Sequence, residues 1–599
     1  MKVCICTTPI RPYPTEYPPF GSMAIIQSLR KIEINAKLYN IDYFRYSHKE
    51  IEAYFEKQKF DVVGISAVVS TAYTYTKYLS QLIRRVSPNT LIVVGGNLAA
   101  SAEILLKKCE VDCCVIGDGE FIIRELMPVL KEKPLNYDKL RETKGIAFLD
   151  EQQNFCFSGY GVRPSTEEIE FPDYEILEED GSIDHFIAEI LPQDIEIYGG
   201  AEPGKRMATV ITAKGCVARC TFCHRFEQGF RAISADRLTE HLNHLISKYN
   251  VGYISVGDEN FGSDRKVAYE IAKKFGELGL KWHVAGVRTR TVTKESLQHW
   301  KNNGCVRAEY GIESGSPKML EIMEKNLKLE ENVMALKWTG EARLKTTIQL
   351  VLGMPGETDE TIFETIDFLK EIAPYIRSWD NAPPSQSLSI NYAQALPGTP
   401  LYELARQHGL IGRSNDDEEQ YLTQISDIDA YSHDHFVNLT GLPLLKVLLW
   451  KRLMVAYLDA HHFRVQSKGK GRLSFSQVVS YYFILVKNKL IRILKRQSSP
   501  KKPDSGFFNI SRGIKYAPLL LNPITKVIFY PVMMFVVISS LKTPVLIARH
   551  LFEYIYWRFN RDQSVLPGLS KSLRKIVAIL PSDGGQGVDD AMLPLRKGR

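Results

Sequence analysis

The segment Lys214-Gly-Cys216-Val-Ala-Arg-Cys220-Thr-Phe-Cys223 carries the clearest chemistry in the chain. Three thiols within eight residues of one loop can reach a single compact inorganic centre, and thiolates are the usual ligands of iron–sulfur clusters. Three protein ligands on a four-iron cluster leave one iron open to an outside molecule, as a catalytic metal keeps an open position. The spacing alone also suits a structural zinc site with His224 as fourth ligand, although closed zinc sites ordinarily pair two separated knuckles. Ten cysteines in 599 residues are too few for a disulfide scaffold and point to a reducing compartment.

The elements that must position this loop follow from the pattern of apolar runs. Residues 206–412 alternate strand candidates (Ala208–Thr212, Tyr253–Val256, His283–Val287, Arg307–Ile312, Thr346–Leu352, Ser387–Ala393) with amphipathic helical stretches. Six β/α units predict a barrel or partial barrel, with chemistry at the carboxyl ends of its strands. The cysteine loop directly follows the first strand. Residues 1–135 carry a similar alternation, with apolar runs at Val3–Thr7, Asp61–Ser66, Leu91–Gly96 and Cys113–Gly117. They predict a doubly wound, flavodoxin-like α/β sheet whose ligand crevice lies beyond the strand ends. Residues 136–205, punctuated by proline and acidic residues, read as a linker. Residues 413–565 read as a helical domain, and 566–599 as a disordered tail.

CxxxCxxC with an aromatic residue before the last cysteine, after the first strand of a β/α series, resembles the radical S-adenosylmethionine (SAM) superfamily. That resemblance implies a [4Fe–4S] cluster held by Cys216, Cys220 and Cys223. Its open iron chelates SAM, and one-electron reduction yields a 5′-deoxyadenosyl radical. Four further segments at strand ends resemble the family: Val256-Gly-Asp258-Glu259-Asn-Phe261, Tyr310-Gly-Ile-Glu313-Ser314, Leu352-Gly353-Met-Pro355-Gly356-Glu357-Thr358 and Ala395-Leu-Pro397-Gly398-Thr399-Pro400. They imply SAM contacts by Asp258, Glu259, Glu313 and Gly353; Arg288, at the end of the third strand, suits a carboxylate partner and a solvated surface equally. Taken singly, glycines at strand ends are turns and acidic residues there are helix caps; it is their shared position that points to a cofactor.

The runs around Ser66, Gly95, Gly96, Asn97, Gly117 and Glu120 resemble the cobalamin-binding domain fused ahead of many radical SAM enzymes. They imply that Ser66, Gly95, Gly96 and Gly117 line a cobalamin crevice, glycine permitting close backbone approach. The chain departs from the Asp-x-His-x-x-Gly pattern: its first loop is Thr8-Pro-Ile-Arg11-Pro12-Tyr13-Pro14, and its first histidine is His48. A bound cobalt is therefore expected to lack a histidine ligand.

A net charge of +7 does not call for nucleic acid. The resemblance implies a one-electron donor of flavodoxin or ferredoxin type and a small-molecule substrate, which membrane contact by the C-terminal region would make a lipid. The N-terminus shows no secretory signal, so a cytoplasmic location is expected. The apolar run Val527–Leu541 is too short to span a bilayer and contains Pro531. With the basic run Lys487–Lys502 it suits contact with the cytoplasmic face of a membrane. The reading that follows is a cobalamin-dependent radical SAM methyltransferase acting on an unactivated carbon. A radical cyclase or rearrangement enzyme without net methylation is the second reading, and a non-catalytic metal or cofactor sensor the third.

Overall fold

A computed structural model describes residues 1–161, 163–224, 229–376, 383–426, 436–466, 472–480, 482, 517–541 and 543–559. The basic run Lys487–Lys502 and the tail 566–599 lie outside the described residues.

Seven strands form the first sheet: β1 (Val3–Thr7), β2 (Lys37–Tyr39), β3 (Val62–Ser66), β4 (Leu91–Gly95), β5 (Cys113–Val115), β6 (Ile146–Leu149) and β7 (Phe155–Phe157). Their order is β2-β1-β3-β4-β5-β6-β7, and β1 to β5 run parallel. The runs VCICT and LIVVG are largely buried, as strands covered on both faces must be. The order 2-1-3-4-5 is the flavodoxin-like doubly wound arrangement, with its topological switch point between β1 and β3. Part of the stretch read as a linker belongs to this sheet, because β6 and β7 extend it as an antiparallel hairpin beyond β5. These runs are three and four residues long, too short to show a period.

The next strands are β8 (Arg206–Val210), the antiparallel pair β9 (Ala213–Gly215) and β10 (Phe230–Ala232), β11 (Val251–Val256), β12 (Lys281–Val287), β13 (Cys305–Glu313), β14 (Lys345–Leu352) and β15 (Leu388–Tyr392). Six of them form a second sheet in the order β15-β14-β13-β12-β11-β8, the half-barrel that the alternation predicts.

By packing the chain divides into two compact units. One holds Met1–His283 and Gln394–Val437; the other holds Val284–Ala393 and the described residues from Asn438 onward. In the first, β8 pairs in parallel with β11, and the helices Phe20–Arg30 and Gly119–Leu130 pack together over the first sheet. In the second, β13, β14 and β15 pair in parallel, and the helix Leu444–Gln466 packs on the helix Asp359–Ile372. Lys446 and the Trp450 indole both donate to Asp359, the latter at 2.8 Å. Lys451 donates to the Ile390 carbonyl at 2.6 Å, and burial, with the charge of Arg452 adding, lowers its amine pKa to about 8. The C-terminal helices therefore belong with the later strands rather than forming a separate helical body. No helix among the described residues is long and apolar enough to cross a membrane.

Candidate active site

In the first unit the cysteine loop leaves β9. Cys220 is buried, Cys216 is partly covered and Cys223 is exposed, and none is in a disulfide. Two N–H groups aim at Cys216 Sγ: the Ala218 amide at 3.4 Å and the Asn260 side-chain amide at 3.3 Å. Asn260 is fully buried, and its Oδ1 has no partner. Among the described residues no three metal-ligating side chains converge on a single-ion site. The chemistry of the set fits an iron–sulfur cluster: three thiols on one loop, one of them exposed, with amide donors already on one sulfur. His224, the candidate fourth ligand for zinc, has its pKa lowered to about 4 by burial and is neutral.

The two acidic residues after β11 part ways. Asp258 turns into the protein: its carboxylate accepts from the Thr212 amide at 2.6 Å, the Thr212 hydroxyl at 2.5 Å and the Ala213 amide at 3.2 Å. It clamps the turn between β8 and β9, from which the cysteine loop departs, and burial raises its pKa to about 6. Glu259 opens onto a cavity, and the protein crowding it raises its pKa, with the charge of Asp258 adding.

That cavity, about 550 Å³, brings two groups of sequence-predicted residues together. Ser66, Gly95, Gly96 and Gly117, at the carboxyl ends of the first sheet, form one wall; Lys214, Gly215, Gly257 and Glu259 form another. From the switch point it continues as an apolar slot over β1 and β3, past Val3, Ile5, Val62 and Gly64. Glycine is required at one place here: Gly96 has φ +89°, and a Cβ on it would sit 2.5 Å from the Ala67 carbonyl oxygen. A glycine-walled crevice running into an apolar slot fits a corrinoid with its nucleotide tail. Among the described residues no histidine lines it, although Asn97 does. Lys214, on β9, pairs with Glu120 of the helix Gly119–Leu130, and Arg231, on β10, with Asp118 at 3.3 Å. These pairs tie the hairpin beneath the cysteine loop to the crevice wall.

The second unit holds Arg288, Glu313 and Gly353. Arg288 Nη2 donates to the Lys325 carbonyl at 2.6 Å, while its buried Nη1 has no partner. Lys325 Nζ donates to Glu313 at 2.8 Å, both side chains being buried. Glu313 sits at φ +66° beside a bulge in β13, a costly backbone state that persists where surrounding structure enforces it. The Gly353 amide donates to Glu357 at 2.5 Å, and burial carries the Glu357 carboxyl to about 8. Sequence reasoning missed Asn260, Lys325 and Glu357. Asn260 and Glu357 stood inside quoted motifs; Lys325 had no signal.

Residues 210–369 match the family model of the radical SAM superfamily, and residues 8–127 match that of the B12-binding domain. The chain is 26% identical over 464 residues to an uncharacterized methyltransferase of Pyrococcus horikoshii, covering 75% of this chain and 91% of that protein. It is 25% identical over 372 residues to the anaerobic magnesium-protoporphyrin IX monomethyl ester cyclase of Cereibacter sphaeroides, covering 60% of this chain and 55% of the cyclase. Among solved structures, the cobalamin-dependent SAM radical enzyme OxsB with aqua-cobalamin and SAM bound superposes with a TM-score of 0.59 at 16% identity. That match covers 99% of this chain and 83% of OxsB, and it shows the shared fold.

Proposed function

We propose that this chain, which belongs to the radical SAM superfamily and carries a B12-binding domain ahead of the cluster-binding segment, transfers a methyl group to an unactivated carbon of its substrate. The observation that carries this reading is the single cavity bounded both by the glycine ends of the first sheet and by Gly257 and Glu259. A methyl donor seated on the first wall lies in the same space as groups reaching it from the cysteine-loop side. When bound, the reduced cluster with SAM supplies the one-electron chemistry that opens a C–H bond, and the corrinoid supplies the methyl group.

The chain's own residues do the rest. Cys216, Cys220 and Cys223 hold the cluster, and the N–H groups of Ala218 and Asn260 hold the Cys216 sulfur in place. Asp258 acts as a positioning residue by holding the Thr212–Ala213 turn. Glu259 presents a hydrogen-bond acceptor to the cavity, suited to an ammonium group such as that of SAM. Ser66, Gly95, Gly96 and Gly117 admit the corrinoid. For Arg288, Glu313 and Gly353 the proposed role is contact with SAM; Arg288 Nη1 suits a carboxylate. The reaction also needs a one-electron reductant and a substrate.

The similarity to a named cyclase favours a second reading, radical cyclisation without net methylation. Methyl-labelled SAM separates the two. The reconstituted protein is incubated with labelled SAM, hydroxocobalamin and reductant, and the corrinoid fraction is analysed by mass spectrometry. Label recovered with the corrinoid together with 5′-deoxyadenosine supports methyl transfer. Deoxyadenosine with no label on the corrinoid supports the cyclase reading.

A further inference from the structure

The helix Pro523–Ile538 and the helix Pro544–Phe559, both in the second unit, carry apolar residues on the faces they leave to solvent. The first buries one stripe, Thr525, Phe529, Met533 and Val537, against the helix Leu444–Gln466. An amphipathic surface helix would carry polar residues opposite such a stripe. Here Val527 is 78% exposed and Phe535 70% exposed, and Ile524, Ile528 and Tyr530 lie open beside them. The second helix buries no residue at all, and Val545 (76%), Phe552 (72%) and Phe559 (83%) stand in solvent with Ile555 and Tyr556. Large apolar residues exposed this densely on two consecutive helices mark a surface that meets something apolar.

The charges say what that is. Residues 517–559 carry four Lys and Arg (Lys526, Lys542, Arg549, Arg558) and one acidic residue, Glu553, which is engaged by His550 at 2.9 Å. The intervening chain, residues 483–516, adds nine Lys and Arg against Asp504 alone. Two copies meeting through this face would bring like charges together. An anionic bilayer surface takes both features: the rings and branched side chains enter the acyl boundary, and the cations meet the headgroups. The geometry is of lying on the surface. Sixteen residues give a helix of about 24 Å, short of the roughly 30 Å hydrocarbon core, and Lys526 stands in its first turn. We propose that the face formed by Pro523–Ile538 and Pro544–Phe559 docks this enzyme peripherally on anionic phospholipid.

The test is flotation of the purified full chain with phosphatidylcholine vesicles, with and without about a quarter phosphatidylglycerol. The chain is expected to float with the anionic vesicles, to stay behind with the neutral ones, and to lose binding as NaCl rises from about 0.05 to 0.5 M. Phe535→Glu with Phe552→Glu should cut partitioning by about a hundredfold, roughly tenfold for each ring withdrawn from the boundary. Both side chains are largely exposed, so an unchanged thermal midpoint is expected to accompany the loss. The wild-type lipid and salt series stands even if that variant fails to fold. Absence of binding to anionic vesicles overturns the proposal, as does equal binding to neutral ones. A concentration-dependent dimer abolished by the same variant, with no vesicle binding, assigns the face to a second copy instead.

Discussion

Replacing Asp258 by alanine removes the acceptor for two buried backbone amides, those of Thr212 and Ala213, and for the Thr212 hydroxyl. Thr212 is 2% and Ala213 5% exposed, so water cannot readily replace the carboxylate. A buried donor left unpaired costs about 1–3 kcal/mol. Two abandoned amides therefore cost about 3 kcal/mol, felt where the cysteine loop begins. At about 1.4 kcal/mol per factor of ten, their protection against hydrogen exchange should fall about a hundredfold. Asp258→Asn keeps one acceptor oxygen and should lose about tenfold. The assay is hydrogen–deuterium exchange read by mass spectrometry on a peptide covering residues 206–215, at pH 7, where a carboxyl with pKa about 6 is ionised. After anaerobic reconstitution the alanine variant should also retain less iron than wild type. Unchanged protection in the alanine variant would refute the clamp. An equal loss in β3 would show that Asp258 supports the whole unit rather than the turn.

Three other outcomes follow. Burial carries the Glu357 carboxyl from 4.5 up to about 8, so between those values the folded chain holds a proton that the unfolded chain has released. The resulting stability is fully present below pH 4.5 and is lost as pH rises through about 8; Glu357→Gln should flatten this dependence, gaining on the order of 3 kcal/mol over wild type between pH 5 and 9 in denaturant titrations, and parallel profiles would count against it. Gly96→Ala places a Cβ 2.5 Å from the Ala67 carbonyl at φ +89°; it should cost about 1–3 kcal/mol and abolish retention of hydroxocobalamin on gel filtration, whereas an intact corrinoid spectrum would remove the crevice from the account. Lys214→Met leaves Glu120 and Asp118 without that ammonium group in a largely covered place and should lower the denaturant midpoint by about 1–2 kcal/mol of stability, an effect that Glu120→Gln in the same chain should partly relieve.

What the sequence made legible is what local pattern carries. Buried parallel strands are continuous apolar runs, so β1, β3, β4 and the barrel strands stand out, and glycine-bounded strand ends mark the wall of the cavity. The cysteine loop announces itself because thiol spacing is local. Contacts between residues far apart in the chain leave no such trace. Lys214 and Glu120 are 94 residues apart, and no feature of a single sequence pairs them. Lys325 meets Glu313 across twelve residues, where a register shift interrupts the pairing of β13 with β14. Asp258 and Glu259 read alike in sequence, and only the packing of the Thr212–Ala213 turn sends one inward and leaves the other facing the cavity. The packing of the helix Leu444–Gln466 on the helix Asp359–Ile372 is likewise something that strand–helix alternation cannot foretell.

If Cys216, Cys220 and Cys223 hold a redox-active cluster that cleaves SAM, and the glycine-walled crevice holds a corrinoid, one preparation shows both. The most direct measurement is anaerobic reconstitution with iron, sulfide and hydroxocobalamin, followed by ultraviolet–visible and electron-spin spectra and an assay of 5′-deoxyadenosine from SAM under reduction. A cluster on these three cysteines predicts a [4Fe–4S] signal, retained corrinoid bands and deoxyadenosine formation, with signal and product both lost in Cys220→Ala. Stoichiometric zinc with no iron cluster, or a reduced cluster that never cleaves SAM, would contradict it.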